Sequence, residues 1–322
     1  MKRAAFVVAI SLGLLLASAA SPSQAEDLVR VGLAVPNNAI YAPFYAAETL
    51  GLFKEAGLKV ELTIYRGGAA SQEALSAGVA DMITYFGGGA GLAILKGAKE
   101  KVVAALDPSP HGWHLLVASA SPFKSVKDLA GKKVGITVKG GTSDMFALWA
   151  ADRAGVSIQT IPVGGGGMAP ALNSGQVDAI AMFPGTSLQL VATGKARSLL
   201  DFGKEMEPTL PDVAVASQEM IDKRPEQVRG MLKAFYTALG RMCTDRTFGL
   251  SFLKDFTKES DDEVNVLTYN SVLCQQSRDG LIKPEWMTNS LSIAGKAWDM
   301  EELRKMQPTD VYTDKFIPVT LN

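Results

Sequence analysis

The sequence predicts an α/β protein built from two similar lobes, and an internal repeat is the main observation behind this prediction. Residues 74–86 align with residues 171–183 through a shared frame of Ala-Leu, then Gly, Asp, Ile and Phe at matching offsets. Each copy follows a glycine-rich loop. A glycine that ends a helix and a short apolar run after it are typical of a helix followed by a buried strand. Strand-like runs at 31–35 and 134–138 precede the two copies, and a spacing of about 100 residues is too long for a solenoid repeat.

The first lobe is predicted from alternating strand-like and helix-like segments between residue 28 and about residue 117, which are typical of βαβ units. In chain order we expect a strand at 29–35, a helix at 41–50 beside Pro43, a strand at 58–65 after Gly57, the first repeat copy, a helix near 91–96, and strands at 102–106 and 113–118. The last of these strands is expected to leave the lobe.

The second lobe is predicted to open with a short helix that Gly131 ends. A strand to Val138, a helix at 144–154, the second repeat copy, a helix near 188–192 and a strand near 198–202 follow. A strand at 212–217 then returns to the first lobe. Crossings near Val117 and Val213 would form a hinge pair, since hinges need few residues to absorb a rotation. The predicted boundaries are therefore 26–117 and 213–322 for lobe 1, and 118–212 for lobe 2.

The C-terminal region is predicted to be helical from Pro225 onward. Val228, Leu232, Phe235 and Leu239 form an apolar stripe at helical spacing, and further helices follow to about residue 297. We expect these helices to pack on the first lobe. The tail after residue 306 shows no clear period.

The N-terminus predicts export to the periplasm. Lys2 and Arg3 precede an apolar run at 4–17, and 23–25 offers a small-x-small cleavage site, so residues 1–25 form a signal peptide cleaved near Ala25. The run is shorter than the roughly 20 residues of a spanning helix, and no cysteine follows it as a lipid anchor. We therefore expect no direct insertion of the mature chain into the membrane.

Charge and cysteine content exclude several classes of function. The formal net charge is −1 and no basic run is present, which argues against nucleic acid as a partner. With two cysteines and two histidines, a structural zinc site is not expected, and we predict neither metal nor cofactor. Cys243 and Cys274 could form a disulfide in an oxidising compartment or stay as two unlinked buried thiols.

A family resemblance rests on APFYAAE at 42–48, GLFKEAGLKV at 51–60, the Ala-Leu, Gly and Asp frame at 74–81, and DLAGKKVG at 128–135. In this order the chain resembles the SsuA/TauA and NMT1/THI5-like group of ABC-transporter solute receptors, which bind sulfonates, nitrate or thiamine precursors. The resemblance implies a type II periplasmic binding fold with two hinge crossovers and a ligand held in the cleft between the lobes. It also implies delivery to an inner-membrane ABC permease by a monomer. No glycine run ends in Gly-Lys-Ser/Thr, so the chain has no phosphate-binding loop of its own.

The ligand is expected outside the carboxyl ends of the strands, where helix N-termini present unpaired N–H groups. Five loops should face the cleft, at 36–41, 67–71, 85–88, 140–144 and 183–186. Within Gly140, Gly141, Thr142 and Ser143, backbone amides and hydroxyls could hold a carboxylate or sulfonate. Alternatively, Thr142 or Ser143 only caps its own helix.

Aromatic and polar side chains complete the candidate site. Phe86 and Phe183 end the two repeat copies, so they are expected to face each other and sandwich a planar ligand, unless they belong to the core. His111 could add charge or be a solvated loop residue, and Arg66 could pair with an anion or lie on the surface. The candidate ligand-binding residues are Asn38, Tyr41, Gly68, Ala69, Tyr85, Phe86, Gly87, His111, Gly141, Thr142, Ser143 and Phe183, with Trp113 and Asn37 nearby.

The sequence therefore predicts a non-enzymatic receptor for a small organic anion with some planar or apolar character. One alternative is a periplasmic sensor that docks on a signalling receptor. The other is a hydrolase, since 121–124 and 251–254 match Ser-x-x-Lys, but no Lys-Thr-Gly or Ser-Asp-Asn follows. The eukaryotic thiamine-pyrimidine synthases that belong to the same superfamily use a cysteine-rich segment, and this sequence lacks it.

Overall fold

The computed structural model describes residues 27–321, and the predicted signal peptide at 1–25 lies outside the described residues. Two five-stranded mixed sheets form the framework, one for each of the two α/β lobes that the sequence predicted. The first contains β1 (Asp27–Leu33), β2 (Leu58–Ile64), β3 (Met82–Tyr85), β4 (Glu100–Asp107) and β10 (Asp212–Ser217), in the order β2-β1-β3-β10-β4. The second contains β5 (His114–Ala118), β6 (Lys133–Ile136), β7 (Gln159–Pro162), β8 (Ala179–Met182) and β9 (Ala196–Asp201), in the order β7-β6-β8-β5-β9.

The helices follow the strands in the alternation that the sequence indicated. In the part before β10 they are α1 (Ala42–Thr49), α2 (Leu52–Glu55), α3 (Gly68–Ser76), α4 (Gly87–Leu95), α5 (Thr142–Ala154), α6 (Met168–Asn173), α7 (Thr186–Ala192) and α8 (Phe202–Glu205). After β10 come α9 (Gln218–Lys223), α10 (Pro225–Thr244), α11 (Arg246–Thr257), α12 (Asp262–Ser271), α13 (Pro284–Ala297), α14 (Glu301–Lys305) and α15 (Pro308–Val311). Short 3₁₀ turns occupy Ala39–Tyr41, Val126–Leu129, Gly165–Gly167 and Leu273–Gln275.

The two sheets have the same topology. In each, three parallel strands are followed by one antiparallel strand, which is β10 in the first sheet and β5 in the second. This antiparallel strand joins the sheet directly after the chain has crossed from the other lobe. The predicted pair of crossings is therefore a property of the topology.

The first crossing lies earlier in the chain than predicted. Val117 pairs with Arg197 inside the second sheet, so the crossing is the segment 108–113 and the boundary at 117/118 is wrong. The second crossing is the segment 206–211, because Val213 already pairs with Tyr85 in the first sheet. The segment 108–113 contains two prolines, a serine and a glycine between two apolar strands, so its composition marks the crossing that was predicted too late in the chain.

The repeated glycine and aspartate have structural roles in both copies. Gly78 and Gly175 follow helices α3 and α6 with φ of 69° and 72°, as expected for glycines that end helices. Asp81 accepts the backbone N–H of Arg30 at 2.9 Å, and Asp178 accepts that of Lys133 at 2.9 Å. Each aspartate thus fastens the start of its strand to the neighbouring parallel strand.

Helix α4 begins at a run of three glycines, several residues before the predicted 91–96. Close packing against α13 explains these residues. A Cβ atom on Gly88 would lie 2.6 Å from the Cβ of Ala294, and one on Gly91 would lie 2.3 Å from Leu291 Cδ2. Glycine lowers helix propensity, so this helix is stabilised by its packing.

The C-terminal helices contact both lobes, whereas the sequence predicted packing on the first lobe. Helix α10 packs on α1, with the rings of Phe44 and Phe235 at 4.6 Å. Helix α13 packs against α4 of the first lobe and α5 of the second, where Lys296 Nζ lies 2.8 Å from Asp152 Oδ2. Helix α12 contacts α7 of the second lobe.

Of the two alternatives for the cysteines, the structure shows the disulfide. Cys243, near the end of α10, is bonded to Cys274 in the 3₁₀ turn Leu273–Gln275, with Cα atoms 5.7 Å apart. Among residues 27–321, no helix is both long enough and apolar enough to cross a membrane.

Candidate ligand-binding cleft

The candidate cleft lies where the two lobes meet, and the lobes are in contact there. Tyr85 Oη, at the end of β3, donates a hydrogen bond to the Gly140 carbonyl oxygen of the second lobe at 2.8 Å. The N–H of Gly165 donates to the Arg66 carbonyl oxygen at 3.0 Å. Both bonds cross from lobe to lobe, and the first connects the predicted loops at 85–88 and 140–144.

Two glycines allow the start of α3 to approach the second lobe. A Cβ atom on Gly67 would lie 2.5 Å from Val138 Cγ2 and 2.9 Å from Thr137 Oγ1, so no side chain fits there. A Cβ atom on Gly68 would lie 2.6 Å from the Tyr85 ring. The N-terminus of α3 therefore sits beside the end of β6, next to the loop that starts α5.

The N-terminus of α5 has free backbone donors. Gly141 is its N-cap and provides no side-chain cap. Within residues 27–321, no acceptor takes the amide protons of Thr142 and Ser143, or those of Gly68 and Ala69 at the start of α3. Unpaired N–H groups and the partial positive charge of a helix N-terminus are suited to an anionic group.

Thr142 and Ser143 have different roles. The half-buried Thr142 hydroxyl has no hydrogen-bond partner in the described part of the chain, so it is available to a ligand. Ser143 is fully buried, and its Oγ accepts the N–H of Thr137 at 2.9 Å and lies 2.9 Å from Thr137 Oγ1. Its hydroxyl therefore fixes the end of β6, and neither the predicted ligand contact nor the alternative helix cap describes this hydroxyl.

A carboxylate also lies at this helix end. Asp144 Oδ2 accepts the N–H of Gly140 at 3.0 Å, and Asp144 Oδ1 lies 3.9 Å from Lys139 Nζ. Lys139 is an exposed side chain of opposite charge, and Asp144 Oδ1 is buried without a hydrogen-bond partner in the described part of the chain.

The predicted aromatic sandwich is wrong for this arrangement of the lobes. Phe86 is fully buried, and its ring packs 5.9 Å from Trp298 and 5.2 Å from Tyr85. Phe183 is also buried and packs 6.4 Å from Trp113. The two repeat-end rings therefore contact different partners, and Phe86 belongs to the packing of lobe 1 against the C-terminal helices.

The start of α4 is likewise occupied by the protein itself. The N–H of Gly87 donates to the Leu210 carbonyl oxygen at 3.0 Å, and the N–H of Gly88 donates to Ser290 Oγ at 2.7 Å. Gly87 was a candidate binding residue, but its amide is not free. Two amides at the start of α4 are therefore taken up by the protein, whereas within residues 27–321 the amides of Gly68 and Ala69 at the start of α3 have no acceptor.

Asn38, Tyr41 and His111 join a buried polar group of residues that we call the hinge cluster. Its members lie where both crossings meet the cleft edge of the first sheet, and they are Asn38, Tyr41, Asp107, His111, Trp113 and Asp212. Tyr41 Oη donates to Asp212 Oδ1 at 2.8 Å, and His111 Nδ1 lies 2.8 Å from Asp107 Oδ1. Asp107 and Asp212 are register partners on the adjacent strands β4 and β10.

Sequence reasoning missed both aspartates as site residues. Asp107 directly follows the predicted strand at 102–106, and Asp212 begins the predicted strand at 212–217. Because β10 runs antiparallel to β4, its first residue lies at the same edge as the carboxyl end of β4. Applying the carboxyl-end rule to the loop after β4 would have found Asp107.

Burial controls the titration of the hinge cluster. Burial raises the pKa of Asp212 well above its usual range and the nearby Asp107 charge raises it further, against the lowering effects of the hydrogen bonds from Tyr41 and Trp113. Burial also raises the pKa of Asp107, although the hydrogen bond from His111 opposes it. For His111, burial lowers the pKa, but the hydrogen bond to Asp107 and the charge of that residue outweigh it, so the pKa is raised.

Several polar atoms of the hinge cluster are buried without a hydrogen-bond partner in residues 27–321. They are two donors and two acceptors: Asn38 Nδ2, Trp113 Nε1, Asp107 Oδ2 and Asp212 Oδ2. Trp113 nevertheless counts as a hydrogen-bond donor that lowers the pKa of Asp212, and Asn38 as one that lowers the pKa of Tyr41, so these groups lie close to one another in the hinge cluster.

A groove of 870 Å³ lies away from these loops, at the opposite edge of the first sheet. Its Asp81 carboxylate accepts hydrogen bonds from the side chains of Arg30 and Arg224, so its charge is already paired. Glu100 also lines the groove, and burial raises its pKa to about 7. Ion pairs therefore hold this end of the strands, while the amides without acceptors, at the starts of α3 and α5, lie at the cleft end.

Comparison with known proteins agrees with this geometry. Residues 38–245 match the family model described as NMT1/THI5 like, and this span exceeds half of the chain. The chain belongs to the NMT1/THI5-like family. A protein of Brucella abortus (strain 2308), provisionally named a binding protein, is 29% identical over 239 residues, which is 72% of either chain.

Solved structures share the fold of this NMT1/THI5-like protein. The alkanesulfonate-binding protein SsuA of Xanthomonas axonopodis pv. citri, bound to MOPS, has a TM-score of 0.72 at 20% identity, over 88% of this chain and 95% of SsuA. The periplasmic nitrate-binding protein NrtA of Synechocystis has a TM-score of 0.73 at 15% identity, over 90% of this chain and 86% of NrtA. The predicted recognition and the periplasmic binding fold are thus confirmed, and these two structural neighbours are described as binding proteins.

Proposed function

We propose that this NMT1/THI5-like protein is the periplasmic solute receptor of an ABC importer. It captures a small organic anion, a sulfonate, a carboxylate or a planar aromatic anion, between its lobes and delivers it to an inner-membrane permease. One observation carries the proposal. The N-termini of α3 and α5 come from different lobes, lie side by side in the cleft, and keep the amides of Gly68, Ala69, Thr142 and Ser143 free.

An anion placed between the two helix starts would bind both lobes at once. Its negative charge would face two helix N-termini, each carrying a partial charge of about +0.5. Binding would therefore stabilise the closed arrangement that the Tyr85–Gly140 hydrogen bond already holds. The structural neighbours described as alkanesulfonate-binding and nitrate-binding support an anionic ligand.

The substitution Thr142→Pro tests this site with little cost to the helix. Thr142 is the first residue of α5, where proline is favoured and no intrahelical N–H bond is lost. Gly141 has φ of −94° and ψ of 174°, the extended conformation that a following proline requires. The variant removes one free amide proton and the Thr142 hydroxyl together.

Asp262→Pro is the matched control. Asp262 is the first residue of α12, and its preceding residue is also extended, with ψ of 117°. Its side chain is 82% exposed and, in the described residues 27–321, forms a salt bridge with Lys254 alone. The control thus makes the same change at a helix start outside the cleft.

The experiment is a thermal-shift screen of sulfonates, aromatic and aliphatic carboxylates, pyrimidines and nitrate, followed by calorimetry of the compounds that bind. We expect at least one anion to raise the Tm of the wild-type protein, because a ligand that binds only the folded form stabilises it. Thr142→Pro should weaken that anion about tenfold or more, and Asp262→Pro should leave its affinity unchanged. Equal affinities of Thr142→Pro and the wild-type protein would contradict the proposal.

A further inference from the structure

We propose that the groove at the edge of the first sheet opposite the cleft is a second ligand site, and that it binds a small aliphatic cation through the buried carboxyl group of Glu100. The ligand class is an alkylammonium or alkylguanidinium ion. This inference goes beyond the proposed function, because the groove lies outside the cleft and shares no lining residue with the free amides at the starts of α3 and α5.

The hydrogen bonding of Glu100 leaves one carboxyl oxygen for a ligand. Glu100 is the first residue of β4 and lines the groove, yet only 3% of its surface is exposed. Gln72 Nε2 donates to Glu100 Oε2 at 2.9 Å and to Ser76 Oγ at 3.0 Å, so both amide protons of Gln72 are in use. Glu100 Oε1 is buried and has no hydrogen-bond partner within residues 27–321. A donor placed in the groove would remove the free-energy cost of this unpaired acceptor.

The arginines of the groove do not neutralise Glu100. Arg30 Nη2 lies 3.0 Å from Asp81 Oδ1, and Arg224 pairs with the same oxygen. Burial raises the pKa of Glu100 to about 7, although the hydrogen bond from Gln72 opposes this shift. The carboxyl group is therefore partly ionised near neutral pH, and a cation is the partner that would stabilise its charged form.

Two helix C-termini add to the preference for a cation. Helix α3 ends at Ser76 and α4 ends one residue before Lys96, and both residues line the groove. The C-terminus of a helix carries a partial negative charge, which attracts a cation. The other charged residues of the groove are exposed, so water and salt screen their effect, and they are Lys96, Lys99, Glu219 and Asp222.

The walls of the groove fit an aliphatic body. Leu75 and Ala80 are buried, Ala93 and Ala98 are half-buried, and all four line the groove. No aromatic side chain of the described residues lines it, so a planar ligand would find no ring to stack on. The groove volume of 870 Å³ lies within the range of small-molecule sites.

The test compares cations with neutral molecules of nearly the same shape. The probes are butylguanidinium against butylurea and butylammonium against butan-1-ol, and calorimetry measures their binding to the wild-type protein, Glu100→Gln and Glu219→Gln. Glu100→Gln keeps the size of the side chain and removes its charge. Glu219→Gln is the matched control, because Glu219 lines the same groove but has a side chain that is 71% exposed and pairs with Lys223.

We expect at least one cation to bind the wild-type protein at pH 8 at least tenfold more tightly than its neutral partner, because hydrogen bonds between charged groups are the strong ones. Glu100→Gln should remove this preference, and Glu219→Gln should keep it within about twofold. The Tm of Glu100→Gln at pH 8 should not fall, because burial disfavours the charged form of Glu100. Should this variant fail to fold, Ala98→Arg replaces it, and its added charge should weaken the cations at least tenfold.

The affinity should also depend on pH, because the cation binds the ionised form of Glu100. With a pKa of about 7, the ionised fraction and the affinity should rise about tenfold from pH 6 to pH 8. Burial raises the pKa of Asp81, but the arginine hydrogen bonds outweigh it and lower that pKa. Burial raises the pKa of Tyr85, and the charge of Glu100 raises it further. Glu100→Gln should therefore abolish the pH dependence.

The outcomes separate this inference from the proposed function. If the cations bind no more tightly than their neutral partners, or do not bind, the inference is refuted and the anion receptor stands. If Thr142→Pro removes the preference for cations while Glu100→Gln keeps it, the cation binds in the cleft and the inference is refuted. If the anion screen gives no hit while cations bind in a Glu100-dependent manner, the proposed function fails and the second site stands.

Discussion

The hydrogen bond between Tyr85 and Gly140 is predicted to hold the two lobes closed. Tyr85→Phe removes the hydroxyl and keeps the ring that packs on Gly68. A neutral hydrogen bond contributes a net 0.5–1.5 kcal/mol, which corresponds to about a 2- to 13-fold change in an equilibrium constant. The open population should therefore rise by this factor relative to the closed population.

The assay is single-molecule fluorescence transfer between dyes on cysteines introduced at the exposed positions Lys54 in the first lobe and Lys195 in the second. Tyr45→Phe is the control, because the Tyr45 ring packs on Phe256 of the C-terminal helices and, within residues 27–321, its hydroxyl makes no hydrogen bond. Tyr85→Phe should increase the open fraction and leave the free energy of unfolding nearly unchanged, since both partners can bond water once the lobes separate. An open fraction equal to that of Tyr45→Phe would refute the closing role.

Three further changes act on stability. Replacing Cys243 and Cys274 by serine removes a disulfide that closes a loop of 31 residues. The free energy of unfolding from denaturant titrations should therefore fall by about 3–4 kcal/mol, and a fall of less than 1 kcal/mol would contradict this prediction. Asp212→Asn should flatten the pH dependence of stability. Because the pKa of Asp212 is raised in the folded state, the free energy of unfolding of the wild-type protein should fall as pH rises from about 3.9 through that folded pKa. The variant should therefore be more stable than the wild-type protein at pH 8, while Asp107 and its partner His111 leave part of the slope. Asp81→Asn loses the charge that pairs with two arginines, and should lower the free energy of unfolding by about 1–3 kcal/mol at pH 7. Burial raises the folded pKa of Asp81, but the arginine hydrogen bonds outweigh it and lower that pKa. The difference between variant and wild-type protein should therefore disappear as pH falls through the folded pKa, and a difference that persists at acid pH would contradict this prediction.

Much of the fold could be predicted because the repeated residues have the same structural role in both copies. A left-handed glycine after a helix and an aspartate that accepts the next strand's N–H must recur wherever the same unit is built, as at Gly78 and Asp81. The strand at 212–217 was predicted with its correct bounds, since alternating Val and Ala residues suit a buried strand.

The site was only partly predictable because its details depend on contacts between distant segments. Nothing near Ser143 indicates that its hydroxyl is taken by Thr137, or that Phe86 packs against Trp298 more than 200 residues later. The first crossing was misplaced because β5 was assigned to the first lobe, although the segment 108–113 before it, with two prolines, a serine and a glycine, marked the turn. Asp107 and Asp212 become a pair only through the register of β4 and β10.

The most direct test of the account is a crystal structure with the tightest-binding anion from the screen. We predict that an oxygen of its anionic group lies within about 3.2 Å of the backbone nitrogen of Thr142 or Ser143, between the starts of α3 and α5. Density for the anion at the groove beside Arg30, or anywhere outside the space between the lobes, would contradict a receptor that binds its ligand in the cleft.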